Sequence, residues 1–146
     1  MAVASDPAVS TAGMHQIGEV AEAVNLSLRT IRYYDEVGVV PPSGRSAGGF
    51  RLYTDADIER LRLVRHMKPL DFTLDEMRDL LQARDRLTEE ITDEDRTELL
   101  GRLGMYAATA ESRCSKLRDE LAAAEAMATM LHRDASVLRE SPDPSG

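Results

Sequence analysis

Arg29, Arg32, Tyr33 and Glu36 are spaced so that they would share one face of a helix, at positions i, i+3, i+4 and i+7. Arginine forks match phosphate oxygens and base-edge acceptors, and a tyrosine can reach the backbone of a nucleic acid. The alternative is a solvated arginine face beside a half-buried tyrosine. An enzyme is not indicated, because the sequence has no Ser/His/Asp or Cys/His set, phosphate loop or dinucleotide fingerprint. No cofactor or metal is predicted.

The charge of the chain is unevenly distributed. The formal net charge is −8, which by itself argues against a nucleic-acid partner. From Arg29 to Lys68, however, eight Lys and Arg residues stand against five Asp and Glu residues, so this segment carries +3 and the rest of the chain −11. Such an asymmetry is a weak indication of a nucleic-acid face on an acidic body.

The composition limits the fold class and the cellular compartment. A chain of 146 residues fits one domain or one small domain with an appendage, and only 4% aromatic residues without tryptophan favour a helical protein. The single cysteine excludes an internal disulfide and any site that needs several thiolates from one chain. No membrane span and no signal peptide are indicated, so we expect a cytoplasmic protein.

Two short helices precede a hairpin. Apolar residues at Ile17, Val20, Ala21 and Val24 predict the first helix. Ser27 is a candidate N-cap for a second helix from Leu28 to about Val37, and Gly38 with Pro41-Pro42 ends it. We expect Leu28 and Ile31 to face inward, with Tyr34 and Val37 on or beside that stripe. Two short helices joined by about three residues are typical of a helix-turn-helix.

Glycine and threonine residues mark the next elements. Gly48-Gly49 predicts a tight hairpin. On its return strand Phe50, Leu52 and Thr54 alternate with Arg51 and Tyr53, so that one face packs and the other points outward. Capping boxes at Thr54/Asp57 and Thr73/Glu76 predict a third and a fourth helix, and Pro69 ends the third.

An apolar 4-3 repeat follows an acidic stretch and continues for about five heptads. A helix of roughly 40 residues would be about 60 Å long, which is too long to fold back on so small a domain, so it requires a partner helix. The simplest partner is a second copy of the chain. The residues that we expect at this dimer seam are Leu103, Ala107, Ala110, Cys114, Leu117, Leu121, Ala124, Ala128 and Leu131, and the repeat continues at Ala135 and Leu138.

The segment IGEVAEAVNLSLRTIRYYDEVGVVPPSGRSAGGFRLYTDADIERLRLVRHMKPLDFTLDEMRDLL, about Ile17 to Leu81, resembles the MerR family of bacterial transcription regulators. The family pattern has TIRYYE-x-x-GLL-x-P, a wing reading R-x-x-x-GYR-x-Y, then D-x-x-RL and GFSLEEI. In this chain Asp35 replaces the usual Glu, Val39-Val40 the Leu pair, Phe50 the Tyr, and Asp71 the Gly before Phe72.

The resemblance implies a mainly α fold: a winged helix-turn-helix DNA-binding domain followed by a long dimerisation helix in an antiparallel coiled coil. The corresponding domain limits are a tail at 1–14, the winged domain at 15–90, the dimerisation helix at 91–140 and a tail at 141–146, both tails being expected to be disordered. The residues implied to contact double-stranded DNA are Arg29, Arg32, Tyr33, Tyr34, Arg45, Arg51 and Tyr53.

The resemblance also implies a homodimer on a pseudo-palindromic promoter operator, with RNA polymerase as a further partner. Family members activate by bending and untwisting an overlong promoter spacer. The alternative is a coiled-coil interaction module or an architectural DNA-binding protein without promoter remodelling. Cys114 either packs as a small apolar residue in the seam or meets its mate as a paired thiol site, and an effector is not predicted.

Overall fold

The computed structural model describes residues 13–140, which form five α-helices, a 3₁₀ turn and a three-stranded sheet. The elements in chain order are β1 (His15–Gln16), α1 (Ile17–Val24), α2 (Leu28–Glu36), β2 (Gly44–Arg45), β3 (Arg51–Tyr53), α3 (Asp55–Met67), the 3₁₀ turn (Lys68–Leu70), α4 (Leu74–Leu87) and α5 (Asp93–Glu140). The predicted mainly α, winged fold class is confirmed. The predicted tails lie outside the described residues, apart from Gly13 and Met14.

The chain divides into two compact units after Gly104. The first contains β1 to α4 and the start of α5, including Leu99, which is 1% exposed. The described part of the second unit, residues 105–140, is helical throughout. No helix in the described range is both long and apolar enough to cross a membrane.

The core of the first unit collects one apolar face from each of four helices. Val20, Ile31, Leu61 and Val64 are completely buried, one or two from each of α1 to α3, and Met77 of α4 is 2% exposed. These positions follow the helical period of the sequence. Leu28 departs from the expectation, because it lies in the first turn of α2 and remains 39% exposed.

Side-chain caps begin three helices as predicted. The Ser27 hydroxyl accepts from the Thr30 amide at 3.0 Å. Thr54 with Asp57 and Thr73 with Glu76 form complete capping boxes at α3 and α4. Because a cap satisfies amides that have no partner inside the helix, each contributes about 1 kcal/mol to helix stability.

The sheet has the order β1-β3-β2, and both pairs are antiparallel. The hairpin of β2 and β3 matches the prediction, and Gly49 at φ 83° supplies the left-handed residue of its turn. The edge strand β1, which pairs His15 with Tyr53, was not predicted. Two residues are too few to produce an alternating pattern that could be recognised in a sequence.

The expected alternation of packed and outward-pointing side chains along the return strand is wrong at both ends. Phe50 precedes β3 and is 70% exposed in the turn, whereas Leu52 and Tyr53 are both buried although they are adjacent. Tyr53 pairs with β1 and leads directly into the capping residue of α3, so both sides of the strand are covered there.

Asp71 explains one departure from the family pattern. It adopts the left-handed conformation, with φ 61°, directly after the 3₁₀ turn. Glycine reaches this region without steric cost, which accounts for the Gly that is usual there, and Asp is among the few other residues that tolerate it. The turn before α4 is therefore retained in this chain with a different residue.

His15 makes β1 sensitive to pH. Its Nε2 lies 2.7 Å from Asp55 Oδ1 and its Nδ1 3.3 Å from Glu19 Oε2. Hydrogen bonds to Asp55 first and Glu19 second raise the pKa of His15. Because folding raises this pKa, the contacts of His15 with Asp55 and Glu19 stabilise the fold fully below the unfolded pKa of about 6.5. This stability is lost as pH rises through the folded pKa.

We expect Asp55→Asn to lower the pKa of His15 towards about 6.5, since it removes the shorter and stronger of the two contacts. NMR titration of the imidazole protons measures this shift directly. The matched control is Glu19→Gln, which should lower the pKa less. Equal shifts in the two variants, or none in Asp55→Asn, would contradict the assignment.

In the single chain, the seam positions of α5 are accessible to a partner helix. Leu117, Leu121 and Leu131 are 44%, 59% and 57% exposed. The remaining expected seam residues are exposed or half-buried: Leu103, Ala107, Ala110, Cys114, Ala124 and Ala128. Exposed leucines at seam spacing give the helix an apolar surface that a partner helix can cover.

Candidate nucleic-acid interface

Helix α2 is anchored by a few buried residues and presents a charged outer face. Ile31 is completely buried and Tyr34 is 2% exposed, which fixes the rotation of the helix about its axis. That rotation leaves Arg29, Arg32 and Tyr33 exposed on the side away from the core.

The two arginines of this face are not neutralised. Within residues 13–140, neither Arg29 nor Arg32 forms a salt bridge, whereas Arg45, Arg51, Arg60, Arg62, Arg78, Arg86 and Arg102 all do. Tyr33 is 45% exposed, and its ring packs against the ring of Tyr34 with the two ring centres 5.7 Å apart. The outer face thus offers two guanidinium groups and one phenol.

The C-terminal end of α2 is held by a residue from α4. Arg78 donates from Nε and from Nη2 to the Val37 carbonyl, at 3.1 and 2.5 Å. Gly38, at φ 73°, then turns the chain, and the Val40 amide returns to the Tyr34 carbonyl. A cation on the last carbonyls of a helix satisfies acceptors that have no partner in the helix.

The wing lies beside α2 and is tied to it by charge. Arg51 Nε donates to Asp35 Oδ2 at 2.7 Å, and Arg45 Nη2 lies 3.6 Å from the same oxygen. Arg45 also donates to the Gly49 carbonyl at 3.1 Å across the hairpin turn. The bond to Asp35 raises the pKa of Arg51, which stays charged.

Two of the seven expected DNA-contacting residues are part of the core. Tyr34 is 2% exposed, and burial raises the pKa of its phenol. Tyr53 is completely buried, its hydroxyl has no hydrogen-bond partner in the described structure, and burial raises its pKa to about 12. The expectation of a DNA contact is therefore corrected for Tyr53, because its side chain has no accessible surface in the described structure.

Tyr53→Phe should stabilise the protein, because it removes a buried hydroxyl that lacks a partner while keeping the ring. We expect the free energy of unfolding to rise by about 1 kcal/mol, measured by urea denaturation. DNA binding, measured in the same preparation, should stay unchanged. A loss of DNA affinity without a change in stability would mean that the hydroxyl reaches DNA after all.

A second basic group on α3 is less specific. Arg65, His66 and Lys68 are exposed, while Arg62 pairs with Glu59 and also reaches the Ala23 carbonyl at 3.5 Å. Partial neutralisation and the absence of a glycine turn leave this group as a secondary candidate for phosphate contacts.

Three residues of this region were not found by sequence reasoning. Asp35 forms ion pairs with both wing arginines, Arg78 secures the end of α2, and Phe50 is exposed directly before β3. Asp35 and Arg78 contact residues that are 16 and 41 positions away in the sequence, and no local pattern reveals such contacts. The alternation predicts a packed position for Phe50. In the structure β3 begins at Arg51, so Phe50 precedes the strand.

Comparison with known proteins agrees with this arrangement. The family model described as MerR HTH family regulatory protein matches residues 16–84, which include α1, α2, the wing and most of α4. Residues 16–84 match the MerR helix-turn-helix family. This matched region lies within the first compact unit of the chain.

Curated relatives share the N-terminal half of this chain. The HTH-type transcriptional regulator ZntR of Escherichia coli strain K12 is 42% identical over 71 residues, which are 49% of this chain and 50% of that protein. The mercuric resistance operon regulatory protein of Bacillus cereus is 38% identical over 71 residues, 49% of this chain and 54% of that protein. The matches thus span about half the length of these relatives.

A solved MerR structure covers more of the chain. HiNmlR, a MerR family regulator lacking the sensor domain and bound to promoter DNA, aligns with 84% of this chain and 94% of its own, at a TM-score of 0.63 and 22% identity. At this identity the likeness concerns the fold. It extends the fold agreement beyond residues 16–84 of this chain.

Proposed function

We propose that this MerR-family chain is a homodimeric transcriptional regulator that binds double-stranded DNA at a pseudo-palindromic promoter operator. It places α2 in the major groove and the wing against the adjacent backbone. The activity is binding and remodelling of DNA and not catalysis.

The observation that carries the proposal is the unneutralised outer face of α2. Arg29 and Arg32 lack ion-pair partners among the described residues and stand on a short helix whose rotation is fixed by Ile31. In a chain of net charge −8, two such arginines side by side are suited to base edges or phosphates. Arg45 and Arg51 extend this positive surface into the wing.

A dimer follows from the exposed seam of α5. Burying a leucine side chain stabilises an interface by about 1.5–3 kcal/mol, and the antiparallel pairing of two helices would bury every seam leucine of both. Antiparallel pairing also gives two-fold symmetry, which two recognition helices need to read a pseudo-palindromic site.

Promoter remodelling is the finer part of the proposal. A rigid dimer that holds two recognition helices at a fixed separation binds best to DNA whose half-sites are brought to that separation, at the cost of bending or untwisting the spacer. RNA polymerase is the partner that would bind the promoter once the spacer has been bent or untwisted. HiNmlR was solved on promoter DNA, which supports promoter binding by a chain of similar fold.

The test is selection of duplexes from a random-sequence pool by the full-length chain, followed by footprinting of the selected sites. We expect an inverted repeat protected in two blocks, occupied by two protomers, with log Kd depending on log salt with a slope of about 0.9 per phosphate contacted. Recovery of no preferred sequence would exclude an operator-binding regulator. Recovery of a repeat that stays straight and normally twisted in circularisation assays would favour the architectural alternative.

A further inference from the structure

The carboxylate of Asp35 lies at the junction of the two positive surfaces and makes contacts that the proposed DNA binding does not by itself require. Asp35 follows the buried Tyr34 on α2, and its side chain is 15% exposed, so it does not belong to the outer face with Arg29 and Arg32. Its Oδ2 atom lies 2.7 Å from Arg51 Nε and 3.6 Å from Arg45 Nη2.

The register of the hairpin creates a need for this carboxylate. Arg45 and Arg51 are directly opposite each other in the β2–β3 ladder. Like charges directly opposite in an antiparallel pair destabilise it, and two mobile arginines would turn away from each other. A carboxylate close to both offsets the repulsion and keeps both guanidinium groups on the side of the wing that meets α2.

The geometry of Arg51 leaves part of its guanidinium group for another acceptor. It donates its Nε–H to Asp35, and its terminal amino groups make no hydrogen bond to any residue between 13 and 140. Those groups carry four further N–H donors, which is enough for a forked contact with a phosphate. An arginine that is already oriented loses less side-chain entropy on binding than a free one.

We propose that Asp35 is a positioning residue, which fixes the wing arginines Arg51 and Arg45 to the recognition helix so that α2 and the wing meet DNA as one rigid surface. The inference rests on the proposed function. Charge alone predicts that removal of a negative group beside DNA strengthens binding. The positioning role predicts the opposite for Asp35, because the wing arginines lose their orientation when its carboxylate is removed.

Asp35→Asn and its neighbour Glu36→Gln remove the same charge at adjacent positions. Glu36 is exposed on α2 and has no hydrogen bond or ion pair within residues 13–140, which makes it the matched control. With the duplex that the wild-type chain selects from a random pool, Asp35→Asn should raise Kd about tenfold, an effect in the range found for residues of one ion-pair network. Glu36→Gln removes a negative charge from the outer face of α2 and should lower Kd.

Two further measurements separate positioning from a general structural role. In a background that carries both Arg45→Ala and Arg51→Ala, Asp35→Asn should cause no further loss of affinity. In the free wild-type protein, the Arg51 Nε–H should give a protected NMR resonance that exchanges rapidly in Asp35→Asn, with no DNA present.

The outcomes are distinct for the two proposals. If the wild-type chain selects no duplex, the proposed function fails and the positioning role with it. If it selects one and Asp35→Asn binds as tightly as Glu36→Gln, or weakens binding equally in the background that carries both Arg45→Ala and Arg51→Ala, only the positioning role is overturned.

Discussion

Arg32→Ala is expected to weaken specific DNA binding strongly while the protein stays folded and dimeric. Arg32 is exposed on α2 and has no salt bridge among the described residues, so its loss removes no contact that the fold needs. One arginine contact to a base or phosphate is worth about 1–3 kcal/mol, and two-fold symmetry repeats the loss in each half-site. The affinity for the selected duplex should therefore fall about 30-fold to 10⁴-fold, at 1.4 kcal/mol for each factor of ten.

Fluorescence anisotropy with the selected duplex measures this loss, and sedimentation velocity checks the dimer. The matched control is Arg84→Ala, which removes the same charge from an exposed position on α4 outside the helix-turn-helix. Arg84→Ala should change Kd by a small factor only. If both variants weakened binding equally, net charge and not the α2 face would determine affinity.

Leu121→Asp should dissociate the dimer and reduce DNA affinity with it. Leu121 is 59% exposed in the single chain and stands near the middle of the predicted seam. Burial of the new carboxylate at an apolar seam is unfavourable, and removal of the leucine alone costs about 2–5 kcal/mol where it is packed. The change occurs in both protomers, so the dimer dissociation constant should rise at least about 10³-fold.

The matched control is Ala122→Asp, which adds the same charge one residue further along α5, at a position outside the 4-3 repeat. Sedimentation equilibrium at micromolar concentration should show a monomer for Leu121→Asp and a dimer for Ala122→Asp. A monomer binds one half-site, so the two-block footprint should disappear in the first variant alone. A dimeric Leu121→Asp protein would place the interface elsewhere.

Local signals in the sequence predicted the helices and their caps well. Ser27, Thr54 and Thr73 begin helices because each cap bonds an amide only three residues away. The acidic stretch before the apolar repeat includes Asp93, Glu94 and Asp95, and these three residues form the first turn of α5. Acidic residues are favourable there because the free amides at a helix N-terminus carry partial positive charge.

Contacts between residues distant in sequence could not be predicted in this way. The pairing of His15 with Tyr53 joins two positions 38 apart and buries a tyrosine that a period-of-two pattern had assigned to the surface. The bond of Arg51 to Asp35 likewise depends on where the wing folds relative to α2. The sequence therefore predicted the outward position of Arg29, Arg32 and Tyr33 on α2, but not the linkage that orients the wing.

Amide hydrogen exchange of the full-length protein, with and without the selected duplex, tests the central claim most directly. The α2 face and the wing should bind DNA, so we expect protection on DNA addition in peptides that cover residues 27–38 and 44–53. The segment 105–140 should be unchanged once the dimer is formed. Protection confined to α5, with α2 and the wing unaffected, would contradict the account.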